Sequence, residues 1–337
     1  MALLNYTGIN QGLMGVGFQY NQASLDVDQP SSFPPILEQL KAKGLIDRAA
    51  YSLFLDDYDG NTGSILFGGI DSSRMSGELL SLPLSTDDYG HYHGFRVALT
   101  QISYHDEDST QALTKAPFIV AALLDFGATM TYLPRAIFEE LMRGLGATAG
   151  ADGYYYVPCA YRTSNTNLVY SFGGAQGVNV SVPLSELIGE ELGPFDGYNS
   201  DTPACSLNVA RGYDDVILGD SFLRSAYAVY DLENYVVALG QSNVFKKAVD
   251  PAAITSIPTG MALPGVSKTA RVTASVTAFG RLDLGGVVSP TFDLGMTVTA
   301  TPTSTSGLIW DKNGAGEFKV PKLLGCSVAA IVAYFYV

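Results

Sequence analysis

The chain has 337 residues, 47% of them hydrophobic, with 36 glycines, 20 tyrosines and 16 phenylalanines. That is enough apolar surface to bury a sizeable core in one large or two medium domains. A formal net charge of −14 and a pI near 4.5 argue against nucleic acid and anionic membrane surfaces as partners, because like charge repels the phosphates that dominate such binding. The same balance suits work in acid, where protonation of carboxylates relieves self-repulsion.

In chain order, the N-terminal "MALLNYTGINQG" has neither a basic leader region nor a long apolar core, so no signal peptide is read in it. The stretch "FPPILEQLKAKGLI" (33–46) predicts a helix with Ile36, Leu37, Leu40 and Leu45 on its apolar side behind a proline start. From about residue 46 to 240 the text is β-rich, with runs such as "AYSLFL", "SILFGGI", "FRVALTQISY", "LVYSFGG" and "VNVSVPL" separated by Gly, Asn, Asp and Ser turns. A second helix is predicted over "PRAIFEELMRGLG" (134–146), with Ile137, Phe138 and Leu141 on one face. The fold class is therefore all-β with short inserted helices. An internal echo joins "GLMGVGF" (12–18) to "VILGDSFL" (216–223), as a duplicated lobe would produce.

Three cysteines (Cys159, Cys205, Cys326), no Cys-x-x-Cys pair and three histidines argue against a structural zinc site and imply no metal or organic cofactor. One Cys159–Cys205 disulfide in an oxidising compartment is the first reading, two unpaired thiols the second. Asn5 ("NYT") and Asn179 ("NVS") fit the N-glycosylation pattern, the latter within a predicted strand. Beyond Gln241 the composition shifts to Thr, Ser, Pro, Ala and Val, which favours an extended, O-glycosylated stalk over a packed core. The closing run "LLGCSVAAIVAYFYV" (323–337) is short for a membrane span of about 17–25 residues, yet falls in the range of about 10–20 for a GPI-attachment tail. The small residues of "NGAG" (313–316) stand upstream; a terminal strand is the alternative.

The chemistry concentrates in "ALLDFGATMTYLP" (122–134). Asp125-Phe126-Gly127 alone matches the magnesium-binding tripeptide of protein kinases, but no Gly-rich loop, following strand lysine or His-Arg-Asp catalytic loop accompanies it. Taken with "GLMGVGF", "LKAKGLIDRAAYSLFL", "TGSILFGGID", "SFGGAQGVNVSVPLSEL" and "VILGDSFLRSAYAVYDLENYVVALGQ", in that order, the stretch resembles one catalytic motif of the pepsin-like aspartic proteases. The resemblance covers residues 12 to about 245 and points to the fungal, cell-surface, yapsin-like branch.

That resemblance implies a bilobal all-β fold: 1–80 as the remnant of an N-terminal lobe, 81–245 as the C-terminal lobe, 246–322 as the stalk and 323–337 as the tail. It implies acid hydrolysis of peptide bonds in a peptide or protein substrate by a monomer located outside the cell or on its surface, GPI-anchored, with no cofactor. It supports the Cys159–Cys205 pairing. Such enzymes hold two aspartates about 3 Å apart around a water, where like charges cannot both ionise, so that one acts as base and the other as acid. Each lobe supplies its aspartate in Asp-Thr/Ser-Gly-Thr/Ser. Asp125 and Gly127 match the second motif. Phe126 and Ala128 depart from it: the first puts a ring where a hydroxyl would lock the lobes, the second deletes a hydrogen bond to the carboxylate. No first motif is read in the chain, and Asp56, Asp57, Asp59, Asp71 and Asp220 read as turn or loop residues. Gly127 and Thr129 occupy positions that would face bound peptide, although a hydroxyl satisfied within its own strand is an equal reading of Thr129. Peptidase activity is accordingly expected to be absent or impaired, with a non-catalytic, peptide-binding surface protein as the alternative.

Overall fold

The computed structural model describes residues 14–21, 33–60, 62–92, 94–107, 109–150, 153–192, 203–213, 215–245, 250–270 and 330–335, the last as backbone. In chain order these form α1 (Ile36–Ala42), β1 (Ala50–Leu55), β2 (Thr62–Phe67), β3 (Gly69–Asp71), β4 (Met75–Pro83), β5 (Arg96–His105), β6 (Thr110–Ala112), β7 (Val120–Leu124), β8 (Thr131–Leu133) and α2 (Arg135–Gly144). There follow β9 (Thr148–Ala149), β10 (Tyr155–Pro158), β11 (Asn167–Phe172), β12 (Val178–Pro183), α3 (Leu184–Leu187), β13 (Ile188–Leu192), β14 (Ala204–Leu207) and β15 (Val209–Arg211). The last are β16 (Val216–Leu218), α4 (Asp220–Leu223), β17 (Ala226–Asp231), β18 (Val236–Ser242), β19 (Ile254–Ser256), β20 (Val266–Thr269) and β21 (Ala330–Phe335).

One sheet has seven strands in the order β20-β4-β18-β17-β1-β2-β21; a second has the path β12-β11-β5-β7-β16-β8-β15 with β6 beside β5. A smaller sheet, β13-β14-β10-β9, carries the Cys159–Cys205 disulfide, whose Cα atoms are 4.9 Å apart. The central strands β1 ("AYSLFL") and β17 ("AYAVYD") are buried along their whole length, which is why they read as unbroken apolar runs. Their alternate residues serve two cores. Tyr51, Leu53 and Tyr230 pack toward the second sheet with Val97, Ala122, Tyr170 and Leu218. Ala50, Phe54, Tyr227 and Val229 face the other way.

Local chemistry sets the helix ends. In α1, Leu37 and Leu40 are buried, and the helix stops at Ala42, short of the predicted 46. Gly44 takes φ +67°, and the amides of Gly44 and Leu45 return to the carbonyls of Lys41 and Leu40. In α2 the predicted face is the buried one, with Met142 added.

The start of the Ser/Thr/Pro-rich segment does not hang free. Residues 250–270 cross the outer face of the seven-stranded sheet, where β19 pairs with β3, β20 pairs in parallel with β4, and Ile257 and Leu263 are buried. A fully buried Arg48 ties the segment down: its guanidinium donates to Asp231 Oδ2 at 2.9 Å and to the Ala262 carbonyl at 3.2 Å. The rest of the predicted stalk, 271–322, lies outside the described residues. Within the apolar tail, the backbone of β21 pairs in parallel with β2 from Thr62↔Ala330 to Phe67↔Phe335. Among the described residues no helix is long and apolar enough to cross a membrane.

Candidate functional site

Asp125 follows directly on β7, which runs parallel to β16 in the register Val216↔Ala122 to Leu218↔Leu124. Its amide donates to the Leu218 carbonyl at 3.0 Å, so the aspartate leaves the sheet where the two strands are still paired. A tight turn follows. The Gly127 N–H donates to Asp125 Oδ1 at 2.9 Å, and the Ala128 N–H to the Asp125 carbonyl at 3.2 Å. A side chain at position 127 would bring its Cβ to 3.0 Å from Asp125 Oδ1 and press on the carboxylate.

The segment "VILGDSF" is stitched to this turn. Asp220 and Ser221 amides donate to the carbonyls of Ala128 and Thr129 at 2.8 and 3.2 Å. Ser221 Oγ accepts from the Thr131 N–H and donates to Thr131 Oγ1, both at 2.9 Å. Gly219 must be glycine, since a Cβ there would lie 2.3 Å from the carbonyls of Ala128 and Met130. The hydroxyl satisfied inside the structure is thus that of Thr131, a residue the sequence reading passed over. Thr129 is exposed, its side chain without a partner among the described residues.

The two departures have visible consequences. Ala128 offers no hydroxyl, and Gly127 N–H is the only hydrogen-bond donor to the Asp125 carboxylate among the described residues. Phe126 is half-buried, with its ring 6.3 Å from each of Tyr51 and Tyr230, edge-on to both. Those two tyrosines stack on one another at 4.8 Å, and Phe95 meets Tyr230 edge-on at 4.6 Å. Both tyrosines are fully buried, and neither hydroxyl has a hydrogen-bond partner among the described residues. Burial first, then each neighbour's negative charge, raises their hydroxyls well above the ordinary phenol value; the Asp125 carboxylate is among those charges for both. Nothing in the spacing of "AYSLFL" or "AYAVYD" signalled that the two rings meet under the motif.

The sequence reading set Asp220 apart as a loop residue. The structure brings it within electrostatic reach of Asp125. Burial pushes the Asp220 carboxyl up to about 6, Arg224 opposes the rise and the Asp125 charge adds to it. Arg224 in turn donates to Glu186 Oε2 and to the Glu186 carbonyl, both at 2.6 Å, and covers the Tyr58 ring at 5.2 Å. The other aspartates do turn work: Asp56 accepts from Thr62 Oγ1, Asp71 accepts from the Ser73 amide and hydroxyl, and Asp59 pairs at the surface with Arg162. No group of His, Cys, Asp and Glu among the described residues could hold a metal ion. Asn179 is exposed on β12, whereas Asn5 lies outside the described residues.

Residues 3–242 match the family description "Eukaryotic aspartyl protease". The probable aspartic-type endopeptidase opsB of Aspergillus oryzae is 34% identical over 331 residues, 95% of this chain and 64% of that protein. Aspartic proteinase yapsin-3 of Saccharomyces cerevisiae is 32% identical over 300 residues, 83% of this chain and 55% of that protein. The chain therefore spans between about half and two thirds of the length of these curated relatives. The crystal structure of the aspartic proteinase from Irpex lacteus superposes with a TM-score of 0.56 at 21% identity, covering 72% of each chain, which identifies the fold. On the family match and the opsB and yapsin likenesses together, the chain belongs to the pepsin-like eukaryotic aspartyl proteases, in their fungal branch.

Proposed function

We propose that the chain is an aspartic-type endopeptidase homologue whose Asp125 site, as it stands here, binds peptide but hydrolyses it poorly or not at all. The observation that carries this is the single amide donor holding the Asp125 carboxylate, beside a ring in place of the hydroxyl that follows the aspartate in active motifs. Two-carboxylate hydrolysis needs a base and an acid sharing one proton across a water. Asp125 supplies one. Another carboxylate that senses its charge is Asp220, at the start of α4 after the paired strand β16 and engaged electrostatically with Arg224. Exposed Gly127 and Thr129 are the positions offered to a peptide backbone.

The Cys159–Cys205 disulfide supports an oxidising, extracellular or cell-surface location, since such bonds persist there. GPI attachment through 323–337 competes with the pairing of β21 on β2, because attachment would remove the tail; the intact mass of protein recovered from a eukaryotic host separates the two fates.

The test is acid proteolysis of a denatured protein at about pH 4, beside an Asp125→Asn control. No cleavage by folded protein that still binds peptide, with binding weakened by Thr129→Val, is the expected result. Cleavage lost in the control would overturn the reading and mean that a second carboxylate completes the site.

A further inference from the structure

We propose that Asn179 carries an N-linked oligosaccharide and that this glycan guards the open edge of the second sheet. β12 is the terminal strand of its sheet, and its residues alternate: Val178, Val180 and Val182 are buried while Asn179 is exposed. In an antiparallel pair the backbone groups of alternate residues also point outward, away from the neighbouring strand. Here the outward set includes Ser181, because its N–H donates to Gln241 Oε1 at 2.9 Å and its carbonyl accepts from Gln241 Nε2 at 3.0 Å. Stepping by two, the set is Asn179, Ser181 and Pro183.

Two of the three are already closed to a foreign strand. Ser181 is capped by the Gln241 amide, which imitates a partner strand, and Pro183 has no N–H to offer. Asn179 remains, without a hydrogen bond outside the β11 ladder among the described residues. Open strand edges invite pairing with another chain unless something bulky, charged or irregular blocks them. The asparagine at this one open position is also the acceptor of an Asn-Val-Ser triplet, and a glycan there projects into solvent without displacing a buried side chain.

The reaction takes a lipid-diphosphate-linked oligosaccharide as donor. Asn179 Nδ2 forms a bond to the anomeric carbon of the first sugar, the bond from that carbon to the diphosphate oxygen breaks, the lipid diphosphate leaves, and the amide releases one proton. No electron changes hands. Addition precedes folding, so the structure decides whether the finished strand tolerates the sugar, and the exposed face of β12 does.

The full chain is translated into microsomes behind a cleavable leader, which supplies the compartment whatever the protein's natural location. Asn179→Gln and Ser181→Ala are expected to lose the same endoglycosidase-sensitive mass increment, while Ser181→Thr keeps it; an increment unchanged in Asn179→Gln overturns the site. The same four proteins are then secreted from yeast and sized by light scattering. Wild type and Ser181→Thr are expected to be monomeric, and both variants lacking the Asn179 glycan to form dimers or larger species with the Cys159–Cys205 bond intact. Monomeric Asn179→Gln and Ser181→Ala proteins overturn the guarding role. Neither readout depends on peptidase activity, so the proposal stands or falls separately from the function assigned to Asp125.

Discussion

The two tyrosines beneath the motif make an unusual prediction about sign. Tyr→Phe changes in a buried core are ordinarily neutral or destabilising, because the hydroxyl has found a partner. Tyr51 and Tyr230 are fully buried, and among the described residues their hydroxyls have none. An unsatisfied buried polar group costs about 1–3 kcal/mol, while phenylalanine keeps the ring and its stacking. Tyr51→Phe and Tyr230→Phe should therefore each stabilise the fold by about 1–2 kcal/mol, raising Tm by about 2–4 °C per kcal/mol in a domain of this size. With the rings stacked at 4.8 Å, the double variant should not equal the sum of the singles. Tyr227 is the internal control: on the same strand but the opposite face, its hydroxyl accepts from the Asp71 N–H at 2.8 Å, so Tyr227→Phe should lose about 1 kcal/mol. Calorimetry or urea titration reads all four. If Tyr51→Phe and Tyr230→Phe destabilise as Tyr227→Phe does, the hydroxyls have an acceptor in solution and the account of the site is wrong.

Three more predictions follow from contacts around the same unit. Asp220 is raised from 3.8 to about 6 by burial. Its favourable contribution is full below about pH 4 and lost as pH rises through 6, so Asp220→Asn should flatten the fall in stability across that window by up to about 3 kcal/mol. Glu186 is raised too, first by burial, and leaves a residual slope that Asp220→Asn/Glu186→Gln removes. Opening the Cys159–Cys205 bond, 46 residues apart in sequence, should cost about 4 kcal/mol on a chain-entropy account, measured as the urea midpoint of Cys159→Ser/Cys205→Ser. Gln241→Ala breaks the three hydrogen bonds of its amide, to Ser181 N–H and to the carbonyls of Ser181 and Ser225, and should cost about 1–3 kcal/mol; Gln241→Glu, aiming a carboxylate at two carbonyls, should cost more at neutral pH than in acid.

How much of this was legible in the sequence depends on the range of the interaction. The α2 face was readable because its apolar spacing is local, and the end of α1 was missed because Gly44, a single-residue signal, was outweighed by Leu45 continuing the apolar pattern. The Asp125 turn was readable because Asp-x-Gly fixes its own geometry, with the Gly127 amide on the aspartate. The neighbourhood of Asp125 was not. Asp220 and Tyr230 are about a hundred residues away in the chain; the parallel pairing of β16 with β7 delivers the first, and the packing of β17 against the second sheet delivers the other. The Ser/Thr/Pro composition of 250–270 hid the buried Ile257, Leu263 and Ala270 and the carbonyls of Gly260 and Ala262 that Asn234 and Arg48 hold, because apolar residues spaced six and seven apart have no periodicity to betray them.

Phe126 is where the two levels of reading diverge most usefully. On the sequence alone it is an obstruction, a large ring in the place of a small hydroxyl. In the structure the ring has a seat: Tyr51, Tyr230 and Phe95 form an aromatic group against which it packs. Aromatic edge contacts of this kind add about 0.5–1.5 kcal/mol beyond the area they bury, so the surroundings stabilise the substitution. Yet the same surroundings keep two hydroxyls dry beside the Asp125 charge, a combination that costs stability and that packing alone does not reward. A site shaped purely for packing would have phenylalanine at all these positions. The buried hydroxyls leave the surroundings of Asp125 polar on the side of Tyr51 and Tyr230 and apolar where Phe126 packs, so the substitution is accommodated by its neighbours without making them a purely apolar core.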